Sequence, residues 1–228
     1  MSRIVIVGGH GKVALLLAPL LVERGDDVVS LIRTPEHADD VAATGAVPLV
    51  VSVEEASEQE LAAAFDGADA VVWSAGAGGK GGPERTEAVD RDAAIRSMEA
   101  AKAASVPRYV MVSFAGSHGQ DPVPADHPLR TYAMAKLAAD RHLVASDLDW
   151  TIVGPGLLTL EEPSGRIEVG RVEGEGQAPT SRANVAAVIA AVLAEPATVG
   201  KVIPFRDGET PIAEAIADVP VEYADLDN

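Results

Sequence analysis

The residues best suited to acid–base chemistry are a tyrosine and a lysine four positions apart, Tyr132 and Lys136. Four residues span about one helical turn, so the two side chains share a face if this stretch is helical. A phenol has an ordinary pKa of about 10, and a nearby ammonium group favours the phenolate. The pair could therefore transfer a proton to or from a substrate oxygen near neutral pH.

Two further residues are placed to assist this pair. Ser113 follows the predicted strand Tyr109–Val112, and Asp90 lies in the predicted helix before that strand. The Ser113 hydroxyl would hydrogen-bond the substrate oxygen, and the Asp90 carboxylate would orient Lys136 directly or through water. Tyr132, Lys136, Ser113 and Asp90 are therefore the candidate catalytic residues.

A glycine-rich turn near the start of the sequence is typical of a phosphate-binding site. Four β-favouring residues, Ile4 to Val7, precede it, and an apolar predicted helix follows it. Glycine admits a phosphate close to the backbone, and the N–H groups at a helix N-terminus attract its charge. Two registers fit and both predict a bound dinucleotide, Gly9-x-Gly11-x-x-Ala14 and Gly8-x-x-Gly11-x-x-Ala14.

The residue after the second predicted strand indicates which dinucleotide binds. This strand spans Asp27–Ile32 and is followed by Arg33. An acidic residue there hydrogen-bonds the ribose 2′-hydroxyl of NAD, whereas Arg pairs with the 2′-phosphate of NADP. Asp26 and Asp27 lie at the other end of the strand, so the sequence favours NADP(H) over NAD(H). The alternative is an exposed strand-end arginine that contacts no ligand.

The alternation of apolar strands and helices predicts an α/β fold, a doubly wound parallel sheet of about seven strands in the order 3-2-1-4-5-6-7. The predicted strands are residues 4–7, 27–32, 46–51, 69–73, 109–112, 150–153 and 201–205. The fourth leads into the glycine- and alanine-rich loop Ser74–Gly82, at the strand end where such sheets bind ligands. We expect one dinucleotide-binding (Rossmann) domain, residues 1–228, with a small substrate-covering region around residues 155–180.

The composition excludes several classes of protein. The 228 residues contain no Cys, which excludes disulfides and thiolate metal sites. His10 lies in the glycine turn, where it would orient its neighbours, and no metal site is expected because His118, His127 and His142 lack metal partners. The net charge of −17 disfavours nucleic acid and anionic membranes. No signal peptide or membrane span is recognisable, so we expect a cytoplasmic protein that binds a small-molecule substrate, its oligomeric state left open.

Several stretches spread over nearly the whole chain form one pattern: Gly8-x-x-Gly11, Arg33, Ser74-Ala-Gly-Ala-Gly, Thr86-Glu-Ala-Val-Asp90, Val112-Ser113, Tyr132-Ala-Met-Ala-Lys136, Leu148-Asp-Trp-Thr-Ile-Val153, Pro155-Gly156 and Asp207-Gly-Glu-Thr-Pro211. Together they resemble the short-chain dehydrogenase/reductase superfamily, in particular its atypical single-domain NAD(P)H-binding subgroup. Members of that subgroup are often named as epimerases or dehydratases. Ala14 stands where the family often has a third glycine, and Ser52 stands where it often has Asp.

The resemblance implies a cofactor site that can be carried over residue by residue. It puts the pyrophosphate at Gly8, Gly11, Lys12 and Val13, the 2′-phosphate at Arg33, and the ribose and nicotinamide near Ala75, Gly76, Lys136 and Pro155. The remaining candidate cofactor contacts are Ser52, Val53, Ala77, Gly156 and Leu157.

Two functional hypotheses follow. The first is an NADP(H)-dependent oxidoreductase or epimerase of a small carbonyl or hydroxyl compound, and it depends on Tyr132 and Lys136. The second is a non-catalytic regulatory protein that senses NADP(H), and it depends on the lack of a recognisable substrate domain after residue 154. The sequence leaves the substrate and the direction of reaction open.

Overall fold

The computed structural model describes residues 1–116, 123–170, 178–217 and 219. Its strands are β1 (Arg3–Val7), β2 (Asp27–Ile32), β3 (Val47–Val50), β4 (Ala70–Trp73), β5 (Arg108–Val112), β6 (Asp149–Pro155), β7 (Leu157–Thr159), β8 (Arg166–Val169), β9 (Pro179–Ser181), β10 (Lys201–Asp207) and β11 (Thr210–Pro211). Its α-helices are α1 (Ala14–Glu23), α2 (Ala38–Ala42), α3 (Glu58–Ala64), α4 (Gly82–Thr86), α5 (Ala94–Ala103), α6 (Arg130–Val144), α7 (Arg182–Ala194) and α8 (Ile212–Ala217). A π-helix, Glu87–Ala93, joins α4 to α5, and 3-10 turns cover Pro35–His37 and Pro196–Thr198.

The main sheet of the described residues has nine strands in the order β11-β8-β10-β6-β5-β4-β1-β2-β3. From β3 to β10 the neighbouring strands are parallel. These are the seven predicted strands in the predicted order, because the seventh of them is β10. The prediction of a doubly wound α/β fold is therefore confirmed.

The stretch predicted as a small substrate-covering region, residues 155–180, partly extends the sheet instead. β8, which lies in this stretch, pairs antiparallel with β10, and β11, from a later part of the chain, pairs antiparallel with β8. β7 and β9 pair in a separate two-stranded parallel sheet. Residues 171–177 of this stretch lie outside the described residues. These short strands are stabilised by pairing with strands that are distant in the chain, and a local sequence pattern does not indicate such pairing.

Apolar side chains cover both faces of the sheet, because successive residues of a strand point to opposite sides. Ile4 and Ile6 of β1 belong to one buried cluster, which also contains Leu17 of α1 and Val185 of α7. Val5 and Val7 belong to a second cluster with residues of α3, α5 and α6. This two-sided burial explains why β1 is a continuous apolar run.

No helix in the described part of the chain is long and apolar enough to cross a membrane.

A capping box formed by Ser57 and Glu60 fixes the start of α3. The Ser57 Oγ accepts a bond from the Glu60 N–H at 3.2 Å, and a Glu60 carboxylate oxygen accepts one from the Ser57 N–H at 2.8 Å. We expect Ser57→Ala to lower the free energy of unfolding by about 1 kcal/mol, because it orphans a helix N–H. Urea unfolding measures the loss, with Glu58→Gln in the same turn as the control. An unchanged midpoint for Ser57→Ala would contradict the assigned cap.

Candidate functional site

A cavity of about 490 Å³ lies at the carboxyl ends of β1, β2, β3 and β4. β1 is the point at which the chain order of the sheet reverses, since β2 and β4 lie on either side of it. Open α/β sheets bind ligands at such a point. Nine of the predicted cofactor contacts line this cavity: Gly8, Gly11, Lys12, Arg33, Ser52, Val53, Ala75, Gly76 and Ala77.

The glycine turn after β1 adopts the Gly8-x-x-Gly11 register. Gly8 has a φ of +82°, and the Gly11 N–H donates to the Gly8 carbonyl at 2.8 Å. A Cβ on Gly8 would lie 2.8 Å from the backbone of Ala75, and one on Gly9 would lie 2.4 Å from the Cβ of Ser30. Gly8 and Gly9 are thus required for the loops and strands to pack. Gly11 lines the cavity, and its added Cβ would approach only the Gly8 and Ser74 carbonyl oxygens, at 3.0 and 3.7 Å.

The charges around the cavity suit a phosphorylated ligand. Lys12, Arg33 and Lys80 line it and are exposed, although the whole chain carries a net charge of −17. Among the described residues of the lining, the one acidic side chain is that of Glu54, which forms an ion pair with Arg85 at 3.1 Å. A glycine turn, the start of a helix and three exposed cations therefore fit a dinucleotide with its phosphates.

Two arginines that the sequence did not single out hold the loops around the cavity. The Arg85 guanidinium donates to the Ala77 carbonyl at 3.1 Å. The Arg96 guanidinium donates to the Val53 carbonyl at 2.7 Å. Because both acceptors lie on cavity-lining loops, these arginines fix the loops after β3 and β4 against the helices.

The remaining predicted cofactor contacts do not line this cavity. Val13 is buried at the entry to α1. Pro155 ends β6, and its carbonyl accepts a bond from the Ala115 N–H at 2.9 Å, which joins it to the loop after β5. Gly156 lies beyond Pro155, and Leu157 is 53% exposed. Contacts of these residues with a cofactor remain predictions.

Tyr132 and Lys136 lie one turn apart on α6, as the spacing predicted. The Lys136 side chain is only 2% exposed, and its ammonium donates to the Val112 carbonyl at 2.7 Å. The Tyr132 ring is partly buried and lies 5.5 Å from the ring of Phe114. The lysine therefore contacts the end of β5, beside Ser113.

Asp90 lies on the π-helix, where the backbone widens by one residue, a feature frequent at functional sites. Its carboxylate accepts a bond from the Ala77 N–H at 3.0 Å, which ties the helix to the loop that lines the cavity. Burial raises the pKa of Asp90, although the charge of Lys136 and the Ala77 bond lower it. Lys136 therefore acts on Asp90 through its positive charge, which favours the ionised carboxylate.

Asp140 is a buried carboxylate at this site that the sequence reasoning missed. It has no exposed surface, and it accepts a hydrogen bond from the Ser113 hydroxyl at 2.5 Å. Asp140 lies four residues after Lys136, so Tyr132, Lys136 and Asp140 share one face of α6. The sequence feature that could have identified Asp140 is its acidic side chain one helical turn after Lys136.

The electrostatics of the tyrosine differ from the sequence expectation. Burial raises the pKa of Tyr132, and the carboxylates of Asp90 and Asp140 raise it further. Burial also lowers the pKa of Lys136, although the same two carboxylates oppose that shift. The pKa of the phenol is raised and not lowered as expected, because desolvation and two negative charges both disfavour phenolate.

The histidines do not form a metal centre within the described residues. No group of three or more metal-ligating side chains occurs there. His142 on α6 bonds Glu99 at 2.7 Å, and the imidazole of His127 accepts a bond from the Leu129 N–H at 3.1 Å. His118 lies outside the described residues.

The fold and this site are those of an NAD(P)-binding protein. A family model described as NAD(P)H-binding matches residues 8–196, and the chain belongs to that family.

Relatives align over almost the whole chain. A UPF0659 protein of Schizosaccharomyces pombe is 35% identical over 97% of this chain and 96% of its own length. The uncharacterized sugar epimerase YhfK of Bacillus subtilis is 33% identical over 94% of this chain and 98% of its own length. A solved protein of Bacillus halodurans, described as a candidate NAD-dependent epimerase/dehydratase, is 34% identical with a TM-score of 0.87, covering 95% of this chain and 99% of its own.

Proposed function

We propose that this chain is an NADP(H)-dependent oxidoreductase or epimerase that acts on a small carbonyl or hydroxyl compound. The observation that carries the proposal is that Tyr132, buried Lys136 and Ser113 lie where β5 ends. β5 is the neighbour of β4, whose following loop lines the cavity. The acid–base group and the cofactor cavity are therefore adjacent.

Each residue of the site has its own role in the proposed reaction. Bound NADP(H) would supply or accept a hydride at the substrate carbon. Tyr132 would exchange the proton at the substrate oxygen, and Ser113 would position that oxygen. Lys136 would hold the nicotinamide ribose, and Asp90, through the Ala77 N–H, keeps the cavity loop in place.

The raised pKa of Tyr132 determines which form of the phenol is present near neutral pH. Burial and two carboxylates raise that pKa, so the phenol remains protonated at and above neutral pH. A protonated phenol is an acid, which is what the oxygen of a reduced carbonyl requires. In this protonated form Tyr132 could donate a proton to a substrate oxygen, whereas oxidation of an alcohol would need it as the phenolate base.

We expect the wild-type protein to bind NADPH more tightly than NADH, and Arg33→Ala to remove most of the difference. The guanidinium would pair with a 2′-phosphate that NADH lacks, and a charge-assisted bond contributes about 1.5 to 3 kcal/mol. Calorimetry with both nucleotides measures this, with Lys102→Ala on α5 as a remote cation control. Equal dissociation constants of the wild-type protein for NADPH and NADH would refute NADP selectivity. The comparison with NADH is needed because the solved Bacillus halodurans protein is described as NAD-dependent.

Turnover separates an enzyme from a cofactor sensor. Small aldehydes, ketones, quinones and sugars are tested with NADPH by its absorbance, and epimerisation of sugars is followed by NMR. Turnover of any of these compounds supports the enzyme. Tight NADPH binding with no turnover on the whole panel would contradict it and favour the non-catalytic alternative, for which the relatives above give no support.

A further inference from the structure

Two histidines stack at the edge of the cofactor cavity. The rings of His10 and His37 lie 3.7 Å apart between centroids, with only 7° between their planes. His10 belongs to the glycine turn after β1, and His37 ends the 3-10 turn after β2. The pair therefore connects the two loops between which a dinucleotide fold holds the adenosine ribose.

Both rings face the same cavity as Arg33. His10, Lys12, Arg33 and His37 all contribute to its lining. Arg33 and His37 follow the same strand, and Pro35 between them restricts the turn that sets their separation. An imidazole that can donate an N–H bond thus lines the same cavity as the guanidinium expected to pair with a 2′-phosphate.

The position of the His10 ring is itself fixed. Its Nε2 lies 2.8 Å from an Asp40 carboxylate oxygen on α2. A hydrogen bond at one imidazole nitrogen sets the plane of the ring and the role of the other nitrogen. His10 is thereby a fixed surface against which His37 packs.

The charge around Arg33 indicates why a second donor is needed. Glu36, Asp39 and Asp40 follow it closely and are exposed, so three carboxylates oppose a bound phosphate there. A phosphate monoester carries up to two negative charges and three acceptor oxygens, whereas one guanidinium fork satisfies two. An imidazole N–H would supply the third bond.

We propose that His37, positioned by its stack on His10, binds the 2′-phosphate of NADP(H) together with Arg33 and is a second determinant of cofactor selectivity. This inference rests on the proposed NADP(H) specificity. His37 would contact the phosphate itself, and His10 would act through His37 as a positioning residue.

Calorimetry at neutral pH and fixed ionic strength tests the proposal with four ligands, NADPH, NADH, adenosine 2′,5′-bisphosphate and 5′-AMP. His37→Phe keeps a ring to stack on His10 but has no donor. We expect it to weaken NADPH and the bisphosphate by about tenfold to a hundredfold, the range of a charge-assisted bond. The affinities for NADH and 5′-AMP should change less than about twofold. His142→Phe is the control, because it makes the same substitution at a histidine that bonds Glu99. It should leave the affinity for each of the four ligands unchanged.

The positioning role of His10 is tested by a double-mutant cycle. His10→Ala should lower the ratio of NADPH to NADH affinity, whereas adding it to His37→Phe should lower that ratio no further, because its effect passes through His37. Additive losses would overturn the role of His10. Circular dichroism and thermal melting of each variant verify that it is folded.

The outcomes distinguish this inference from the proposed function. If wild type prefers NADPH and Arg33→Ala removes the preference but His37→Phe does not, the histidine inference fails and NADP specificity stands. If His37→Phe weakens NADPH and NADH equally, the His37 imidazole does not distinguish the 2′-phosphate and the inference fails. If wild type shows no preference, NADP specificity and the histidine inference fail together.

Discussion

The Gly11→Val variant is expected to fold and to lose measurable NADPH binding. Gly11 lines the cavity, and an added Cβ would approach only the Gly8 and Ser74 carbonyl oxygens, at 3.0 and 3.7 Å. A small shift of the turn accommodates that contact, but the two branches of valine then occupy the volume where the pyrophosphate meets the helix N-terminus. Because several phosphate bonds would be lost together, we expect affinity to fall by roughly a thousandfold or more.

Two further variants separate a steric effect at the cavity from a loss of stability. Gly11→Ala should weaken binding less than Gly11→Val, since it adds one methyl group. Ala103→Val introduces a β-branched residue on the exposed surface of α5 and should leave affinity unchanged. Circular dichroism and calorimetry are measured on the same samples. A folded Gly11→Val protein that binds NADPH with wild-type affinity would exclude the glycine turn as the pyrophosphate site.

We expect the Tyr132→Phe variant to turn over any carbonyl substrate about 10² to 10⁴ times more slowly than wild type and to keep its affinity for NADPH. Phe retains the ring that lies against Phe114 but has no proton to transfer. Lys136→Met should reduce both turnover and affinity, because the same ammonium is proposed to hold the ribose. Initial rates of NADPH consumption and calorimetry give the two quantities.

Tyr109→Phe is the matched control for the tyrosine. Its hydroxyl lies 2.6 Å from the Ser97 hydroxyl in the buried core, so this variant loses a phenol away from the cavity. It should lower stability by about 1 kcal/mol and leave turnover unchanged. If Tyr132→Phe reduces substrate as fast as wild type, Tyr132 is not the proton donor.

The pH dependence gives an independent measure of Tyr132. Burial and the charges of Asp90 and Asp140 raise its pKa, so its acid form persists as pH rises through the ordinary range of a phenol. We therefore expect kcat/KM for reduction to show no loss assignable to this group between about pH 7 and 9. A rate that falls tenfold per pH unit in that window, with cofactor affinity unchanged, would indicate a lowered phenol pKa instead.

Sequence pattern was sufficient for the parallel sheet and for most of the cofactor cavity. The central strands β1 and β4 are continuous apolar runs because both their faces are buried, and that signal is local. The glycine turn, Arg33 and the loop from Ser74 follow directly at strand ends. Parallel topology then brings those ends to one edge, so nine predicted contacts meet in one cavity.

The tertiary structure decided the contacts between side chains that are distant in the chain. Asp140 accepts from Ser113 across 27 positions, and His10 stacks on His37 only because β1 and β2 are neighbours. Lys136 bonds the Val112 carbonyl instead of the phenol.

What the sequence by itself determined is therefore the architecture, the glycine turn after β1 and the candidate residues at each strand end, because these depend on local periodicity and on residue type. The tertiary structure alone decided the protonation preference of the site. The pKa of Tyr132 rises because folding removes water from the phenol and brings two carboxylates near it. Desolvation and distance are properties of the packed chain, and neither can be read from the spacing of Tyr132 and Lys136.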